Sequence, residues 1–153
     1  MNIVSTQYTL KTKSLELYLA GCSGQPKCKN CHNPVLWDFN IGEKFDNIYF
    51  NKEILNKYKE FKPLIKNVMI FGGEPLDQNF MELELLLIKL TELSIPIWLF
   101  TRYSIDEVPL FVKQYCEYIK CGRYIPELKG EFEYYGIILS TSNQKIYKKG
   151  IDY

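Results

Sequence analysis

Three cysteines within ten residues, Cys22, Cys28 and Cys31, constrain this chain more than any other feature of its sequence. They lie in Gly21-Cys22-Ser23-Gly24-Gln25-Pro26-Lys27-Cys28-Lys29-Asn30-Cys31-His32-Asn33-Pro34. Gly24 and Pro26 are turn formers, so the segment reads as a loop, and a loop that carries three thiols must fold around whatever those thiols hold. Thiolates are soft ligands that select zinc, copper(I) or iron–sulfur clusters. Three of them can hold three irons of a cubane cluster and leave the fourth iron without a protein ligand, open for chemistry.

The competing reading is structural zinc, which takes four Cys or His ligands in a closed tetrahedron. His32 is the only histidine. Adjacent side chains diverge, which leaves Cys31 and His32 poorly placed on one ion and pushes the fourth ligand onto distant Cys116 or Cys121. Three incidental buried thiols are the plainer alternative, and Cys116 and Cys121 themselves read as small buried hydrophobes.

At 153 residues the chain is expected to form one domain with a single core. Its 19 basic and 18 acidic residues nearly cancel, so no strong field draws a polyanion and nucleic acid is not an expected partner. Asn2 to Tyr8 lacks the basic start and apolar run of a signal peptide, and no apolar stretch approaches the roughly 18 residues of a membrane span. The expected location is therefore the cytoplasm, where thiols stay reduced. Five cysteines there argue for metal or catalysis over a disulfide framework. Lys145, Lys148 and Lys149 are too few for a nucleic-acid patch and read as a solvated face.

Strand and helix patterns alternate along the chain. Leu15 to Leu19 reads as a strand feeding the cysteine loop, and Lys52 to Phe61 as a helix through Ile54, Leu55, Tyr58 and Phe61. Val68 to Phe71 follows as a buried strand, and Phe80 to Leu93 as a helix with the stripe Leu83, Leu86, Leu87 and Leu90. Ile95 to Phe100 is a strand, Ile105 to Tyr115 a shorter helix, and Tyr118 to Lys120 a strand. After Gly122 the pattern gives way to loops and short strands around Tyr134 to Leu139 and Lys145 to Tyr147. This alternation predicts an α/β fold whose functional loops lie at the carboxyl ends of parallel strands. A complete eight-stranded barrel takes about 250 residues, so the expected architecture is a partial (β/α) barrel. That means an open, curved, mostly parallel sheet of about five or six strands with flanking helices.

In Met69-Ile70-Phe71-Gly72-Gly73-Glu74-Pro75-Leu76 an apolar strand runs straight into Gly-Gly-Glu-Pro. Glycines at a strand end let backbone approach a small ligand closely, and a carboxylate suits an ammonium group; the blander readings are a turn and a solvated loop carboxylate. Asn33 and Trp37 are placed to pack against a cluster or its cofactor, Trp37 equally against an ordinary core. Thr101 ends a strand, within reach of a pocket there or as an ordinary edge residue.

Taken together, several motifs resemble the radical S-adenosylmethionine superfamily and, within it, the activases of anaerobic, class III ribonucleotide reductase. They are the cysteine loop with Cys-His-Asn-Pro and Trp37, the Gly-Gly-Glu-Pro segment, and Trp98-Leu99-Phe100-Thr101-Arg102-Tyr103 with Asp106-Glu107. Gly122-Arg123-Tyr124 leading to Glu127-Leu128-Lys129, and Ser140-Thr141-Ser142-Asn143-Gln144, complete the set and point to that branch. The resemblance implies a single radical S-adenosylmethionine domain over residues 1–153 acting as an oxidoreductase. Its 4Fe-4S cluster would sit on Cys22, Cys28 and Cys31. S-adenosyl-L-methionine would bind beside Gly72, Gly73 and Glu74, with Asn33 and Thr101 close by. The 5′-deoxyadenosyl radical so formed would take a hydrogen from a glycine of the reductase catalytic subunit, with a reduced flavodoxin or similar protein as electron donor.

Activases of other glycyl-radical enzymes, of the pyruvate formate-lyase type, and small-molecule enzymes like 7-carboxy-7-deazaguanine synthase share the first two motifs. A non-catalytic zinc module remains the reading outside enzymes. The chain departs from the common superfamily pattern at two places. The gap between Cys22 and Cys28 is five residues where three is usual, a tolerable change because lengthening a loop costs little. Thr9-Leu10-Lys11-Thr12-Lys13 stands where activating enzymes often carry a Gly-Pro-Gly-like turn and an arginine.

Overall fold

The computed structural model describes all residues, 1–153. Seven strands organise it, β1 (Asn2–Thr9), β2 (Ser14–Leu19), β3 (Glu43–Lys44), β4 (Asn67–Gly72), β5 (Ile97–Phe100), β6 (Tyr118–Cys121) and β9 (Lys145–Lys148). They form one sheet in the order β3-β1-β2-β4-β5-β6-β9. The remaining pair, β7 (Lys129–Tyr134) and β8 (Ile137–Thr141), forms a separate antiparallel hairpin. Helical segments are α1 (Asn47–Tyr49), π-helical turns Phe50–Leu55, α2 (Asn56–Phe61), α3 (Phe80–Thr91) and α4 (Leu110–Tyr115).

The central strands β2, β4, β5 and β6 pair in parallel, as the strand–helix alternation predicts. Both margins are antiparallel, β3 and β1 on one side and β9 on the other. The sheet is thus mixed, and has more strands than the five or six expected. β1 carries no clear sequence signal because Asn2, Ser5, Thr6 and Gln7 interrupt its apolar residues. The short Leu10–Lys13 connection to β2, with Lys13 at φ +50°, is long enough only for an antiparallel return.

The parallel strands alternate cleanly. Leu15, Leu17, Leu19, Val68, Ile70, Ile97, Leu99 and Ile119 face the helices in one cluster of 25 buried residues, which also takes in Ile54, Tyr58, Leu83, Leu86, Leu87, Leu90 and Val112. α3 forms because Leu83, Leu86, Leu87 and Leu90 share one stripe and because Asn79 Oδ1 accepts from the Met81 and Glu82 N–H groups, capping its first turn. The helix expected from Lys52 in fact begins near Asn47, where Asp46 Oδ1 accepts from Tyr49 N at 2.8 Å. The opposite face of the sheet is aromatic. Tyr18 stacks on Phe71, which meets Phe100 at a tilt, Trp98 stacks on Tyr118 at 3.9 Å, and Met69 and Trp98 meet Leu139 of the hairpin and Ile146 of β9 in a buried cluster of four. Helices therefore cover one face, and the hairpin covers only part of the other.

Candidate functional site

Each of the four parallel strands ends at the same place. β2 delivers Cys22, β4 delivers Gly73 and Glu74, β5 delivers Thr101 and Arg102, and β6 delivers Gly122, Arg123 and Tyr124. All of these line one cavity of about 270 Å³, together with Cys28, Cys31, Trp37, Phe100, Lys120, Ser140 and Gln144. A parallel sheet presents its carboxyl-end loops on one edge, which is why motifs a hundred residues apart in sequence meet there.

The cavity has a rigid shelf, built on β4. Gly73 N donates to Leu19 O at 2.9 Å and Glu74 N to Gly21 O at 2.8 Å, so the segment is laced to the end of β2. A Cβ on Gly73 would sit 2.1 Å from Gly21 O and 2.4 Å from Leu36 O. Gly72, at φ +145°, is equally confined, its Cβ falling 2.3 Å from Leu19 O. The chain's own packing thus demands both glycines. Only Gly73 of the pair lines the cavity.

Glu74 is 2% exposed rather than solvated. Its Oε1 accepts from Thr101 Oγ1 at 2.6 Å and Leu76 N at 3.1 Å, and its Oε2 from Arg102 N at 2.8 Å. The Arg102 guanidinium stands 3.8 Å from Oε2, an ion pair without a hydrogen bond. Burial pushes the Glu74 carboxyl above the ordinary glutamate range, and the three hydrogen bonds only partly oppose it. Next to it, Asp77 accepts from Tyr103 Oη and Ser23 N, both at 2.6 Å, and from Arg102 Nη2 at 3.4 Å. Burial raises the Asp77 carboxyl, but Tyr103, Ser23 and Arg102 outweigh it and leave Asp77 below the ordinary aspartate range. Tyr103 is pushed up to about 12 by burial and by its bond to Asp77.

The cysteine loop closes the other side. Cys22 is buried, its thiol raised by burial, with Gly24 N–H opposing. Cys28 and Cys31 are half-buried and joined by a turn, Cys31 N to Cys28 O at 3.2 Å. The loop is tied down by Ser23 N on Asp77, by Lys27 Nζ on Cys22 O with the ammonium 5.4 Å from the Trp37 ring centre, and by Arg123 Nη2 on Pro26 O at 3.2 Å. The three thiols share the cavity without converging on a single-ion site, since no three Cys, His, Asp or Glu side chains are gathered tightly enough for one metal ion. A cubane cluster spreads its thiolates over a wider triangle than one ion does, and an all-thiolate donor set of three suits it.

The cavity therefore brings together Cys22, Cys28, Cys31, Gly73, Glu74 and Thr101 of the residues singled out from sequence, with Trp37 beside them. Gly72 and Asn33 lie outside its lining. Asn33 is exposed and borders a shallow depression with Val4, Tyr18 and Leu36. Cys116 and Cys121 are buried in the helix-side core. Arg102 stands out in the sequence only as part of the Trp98–Tyr103 motif, and Asp77 and Lys120 have no assigned role there. Lys120 had a signal, a lone charge between the core residues Ile119 and Cys121; Asp77 had none beyond its place after Gly-Gly-Glu-Pro.

A strand-end cavity of this kind, walled by three thiols and a glycine-rich shelf, defines a cluster-binding α/β domain. The chain belongs to the family of 4Fe-4S single cluster domains, whose model matches residues 12–146. Among curated proteins it is 28% identical over 117 residues to the anaerobic ribonucleoside-triphosphate reductase-activating protein of Haemophilus influenzae, covering 72% of this chain and 74% of that one. The protein of the same name from Pasteurella multocida is 26% identical over 95 residues, 60% of this chain and 58% of its own length. The motif resemblance to reductase activases is thus matched by relatives that carry that name. No solved structure matches the chain.

Proposed function

We propose that this protein activates an anaerobic ribonucleotide reductase: it holds a 4Fe-4S cluster on Cys22, Cys28 and Cys31, binds S-adenosyl-L-methionine alongside it, and installs a glycyl radical on the reductase catalytic subunit. The observation that carries this reading is the meeting of three thiols, a buried carboxylate and the 122–124 and 140–144 segments in one cavity. When bound, the cluster supplies one electron for reductive cleavage of the sulfonium, and a reduced flavodoxin or similar donor restores it.

The chain's own residues do the positioning. Gly73 keeps the shelf thin enough for a ligand to lie against backbone, and Glu74 presents a carboxylate whose Oε2 has a lone pair left for an ammonium. Thr101 and the Arg102 N–H fix that carboxylate's orientation. Trp37 and Phe100 supply apolar wall that keeps water from the reacting bond. The uncovered aromatic face leads to this cavity through Phe100, which also borders a hollow of about 490 Å³ lined by Met69, Phe71, Trp98 and Tyr135. That face gives a glycine-bearing segment of the partner a route in. No helix is long and apolar enough to cross a membrane, and the proposed place of work is the cytoplasm.

The test is anaerobic reconstitution with iron and sulfide, followed by incubation with S-adenosyl-L-methionine, a low-potential reductant and the reductase. A glycyl-radical resonance with stoichiometric 5′-deoxyadenosine is expected. A colourless protein that binds zinc instead, or stoichiometric turnover of a free metabolite with no radical on the reductase, overturns the reading.

A further inference from the structure

Lys120 is a charge placed where a strand pattern has no use for one. β6 turns Ile119 and Cys121 into the helix-side core, and Tyr118 and Lys120 onto the other face. Tyr118 stacks on Trp98, whereas Lys120 pairs in register with Phe100 and lines the same cavity as the thiols and the shelf. Its Nζ donates to Gly122 O at 2.6 Å, a carbonyl that also accepts from Gln144 Nε2 at 3.3 Å.

No carboxylate pairs with this ammonium. Glu74, the one carboxylate lining the cavity, is hydrogen-bonded to Thr101, Leu76 and Arg102 and makes no ion pair with Lys120. The other cations nearby are committed elsewhere, Arg102 to Glu74 and Asp77, Lys27 to Cys22 O, and Arg123 to Pro26 O. Burial lowers Lys120 to about 8, with Glu74, Cys121 and Cys28 pulling the other way, so it stays mostly protonated at neutral pH. A half-buried ammonium whose one hydrogen bond goes to a carbonyl carries a desolvation cost that a neighbouring anion would offset, and beside the already hydrogen-bonded Glu74 the cavity offers the thiolates.

Resting on the function proposed above, we propose that Lys120 is the counter-charge of the three-thiolate cluster site and favours its reduced form. One electron arrives from an external low-potential donor, the cluster becomes more negative by one charge, no bond forms or breaks, and Lys120 keeps its proton. A fixed positive charge in a site screened from water lowers the energy of that added charge, and net charge around a cluster is one of the determinants of its potential.

The experiment compares reconstituted parent, Lys120→Gln and Lys120→Arg by iron and sulfide content, visible spectrum and an EPR-monitored redox titration, each with and without S-adenosyl-L-methionine. Lys120→Gln is expected to hold its cluster but to show an about tenfold lower reduced-to-oxidised ratio at a fixed donor potential, equivalent to about 59 mV for a one-electron couple. Lys120→Arg stays near the parent. A folded Lys120→Gln protein that takes up no iron while Lys120→Arg does also supports a counter-charge. Unchanged potential in Lys120→Gln overturns the proposal; if cofactor affinity falls at the same time, the lysine instead serves the cofactor's carboxylate. A parent that takes up no cluster at all sinks the cluster reading itself, and this inference with it.

Discussion

Between Cys22 and Asn33 a single backbone hydrogen bond joins two residues of the same segment, Cys31 N to Cys28 O. Across the cavity, between Gly72 and Gln78, nearly every polar group is used. The N–H groups of Gly73, Glu74, Asp77 and Gln78 all find carbonyls, Glu74 caps Leu76, and Gln78 Nε2 reaches Ala20 O at 2.8 Å and Glu74 O at 3.1 Å. One wall is laced by its own backbone, and the other is pinned mainly by side chains, Asp77, Lys27 and Arg123. In the proposed function the first orients the cofactor and the second carries the cluster, whose binding free energy would add to the loop's own folding.

The sharpest way to break this comparison is at the thiols. Replacing any one of Cys22, Cys28 or Cys31 by alanine is expected to bring iron after reconstitution to background and to abolish S-adenosyl-L-methionine cleavage, while thermal unfolding of the iron-free chain barely changes. Full iron retention in a Cys28→Ala protein removes that residue from the ligand set.

Glu74→Gln probes the shelf. It trades a charge-assisted acceptor for an amide facing the Thr101 and Arg102 donors, with an expected loss of roughly 1.5–3 kcal/mol in denaturant unfolding. Cofactor affinity should fall about ten- to a hundredfold with the cluster retained. A variant as stable as the parent would falsify the view that this carboxylate holds the shelf.

Asp77→Asn tests the tie between shelf and loop and has a pH signature. The native carboxyl lies below the ordinary value of 3.8, so the unfolded chain binds the proton first on acidification. Asp77's contribution is therefore complete above that ordinary value and disappears as pH falls through the depressed native one. The stability gap between parent and Asp77→Asn should be roughly 1–2 kcal/mol at neutral pH and close at strongly acid pH. A gap that widens on acidification reverses the assigned sign. Glu74 works in the opposite sense, because its raised carboxyl takes up a proton earlier than an ordinary glutamate.

The smallest effects belong to Cys116 and Cys121. Each lies in the helix-side core with its thiol raised by burial, Cys121 to about 12, so alanine there should cost about 1 kcal/mol and leave iron content untouched. Iron loss from either variant would contradict the division between cavity and core thiols.

Local chemistry alone was enough to read the cysteine loop, the strand into Gly-Gly-Glu-Pro, the α3 stripe and the run of parallel strands, because each depends on residue type and spacing within a few turns of chain. The antiparallel margins were not legible, since β1 pairs through backbone while its side chains alternate poorly, and the place of β9 beside β6 is a long-range choice. The same limit applied at the site. Gly122-Arg123-Tyr124 and Ser140 to Gln144 stood out as motifs, yet only folding puts Arg123 on Pro26 O and Ser140 and Gln144 into the cavity wall. Residue type and place suit Glu74 to a ligand's ammonium, but only the fold shows it buried, with Thr101 and Arg102 just past the neighbouring strand closing over it. Sequence determines which groups are available and which local segments carry them. Register between distant strands decides which groups share a low-dielectric space, and with it whether a carboxylate is solvated or buried and a lysine paired or alone.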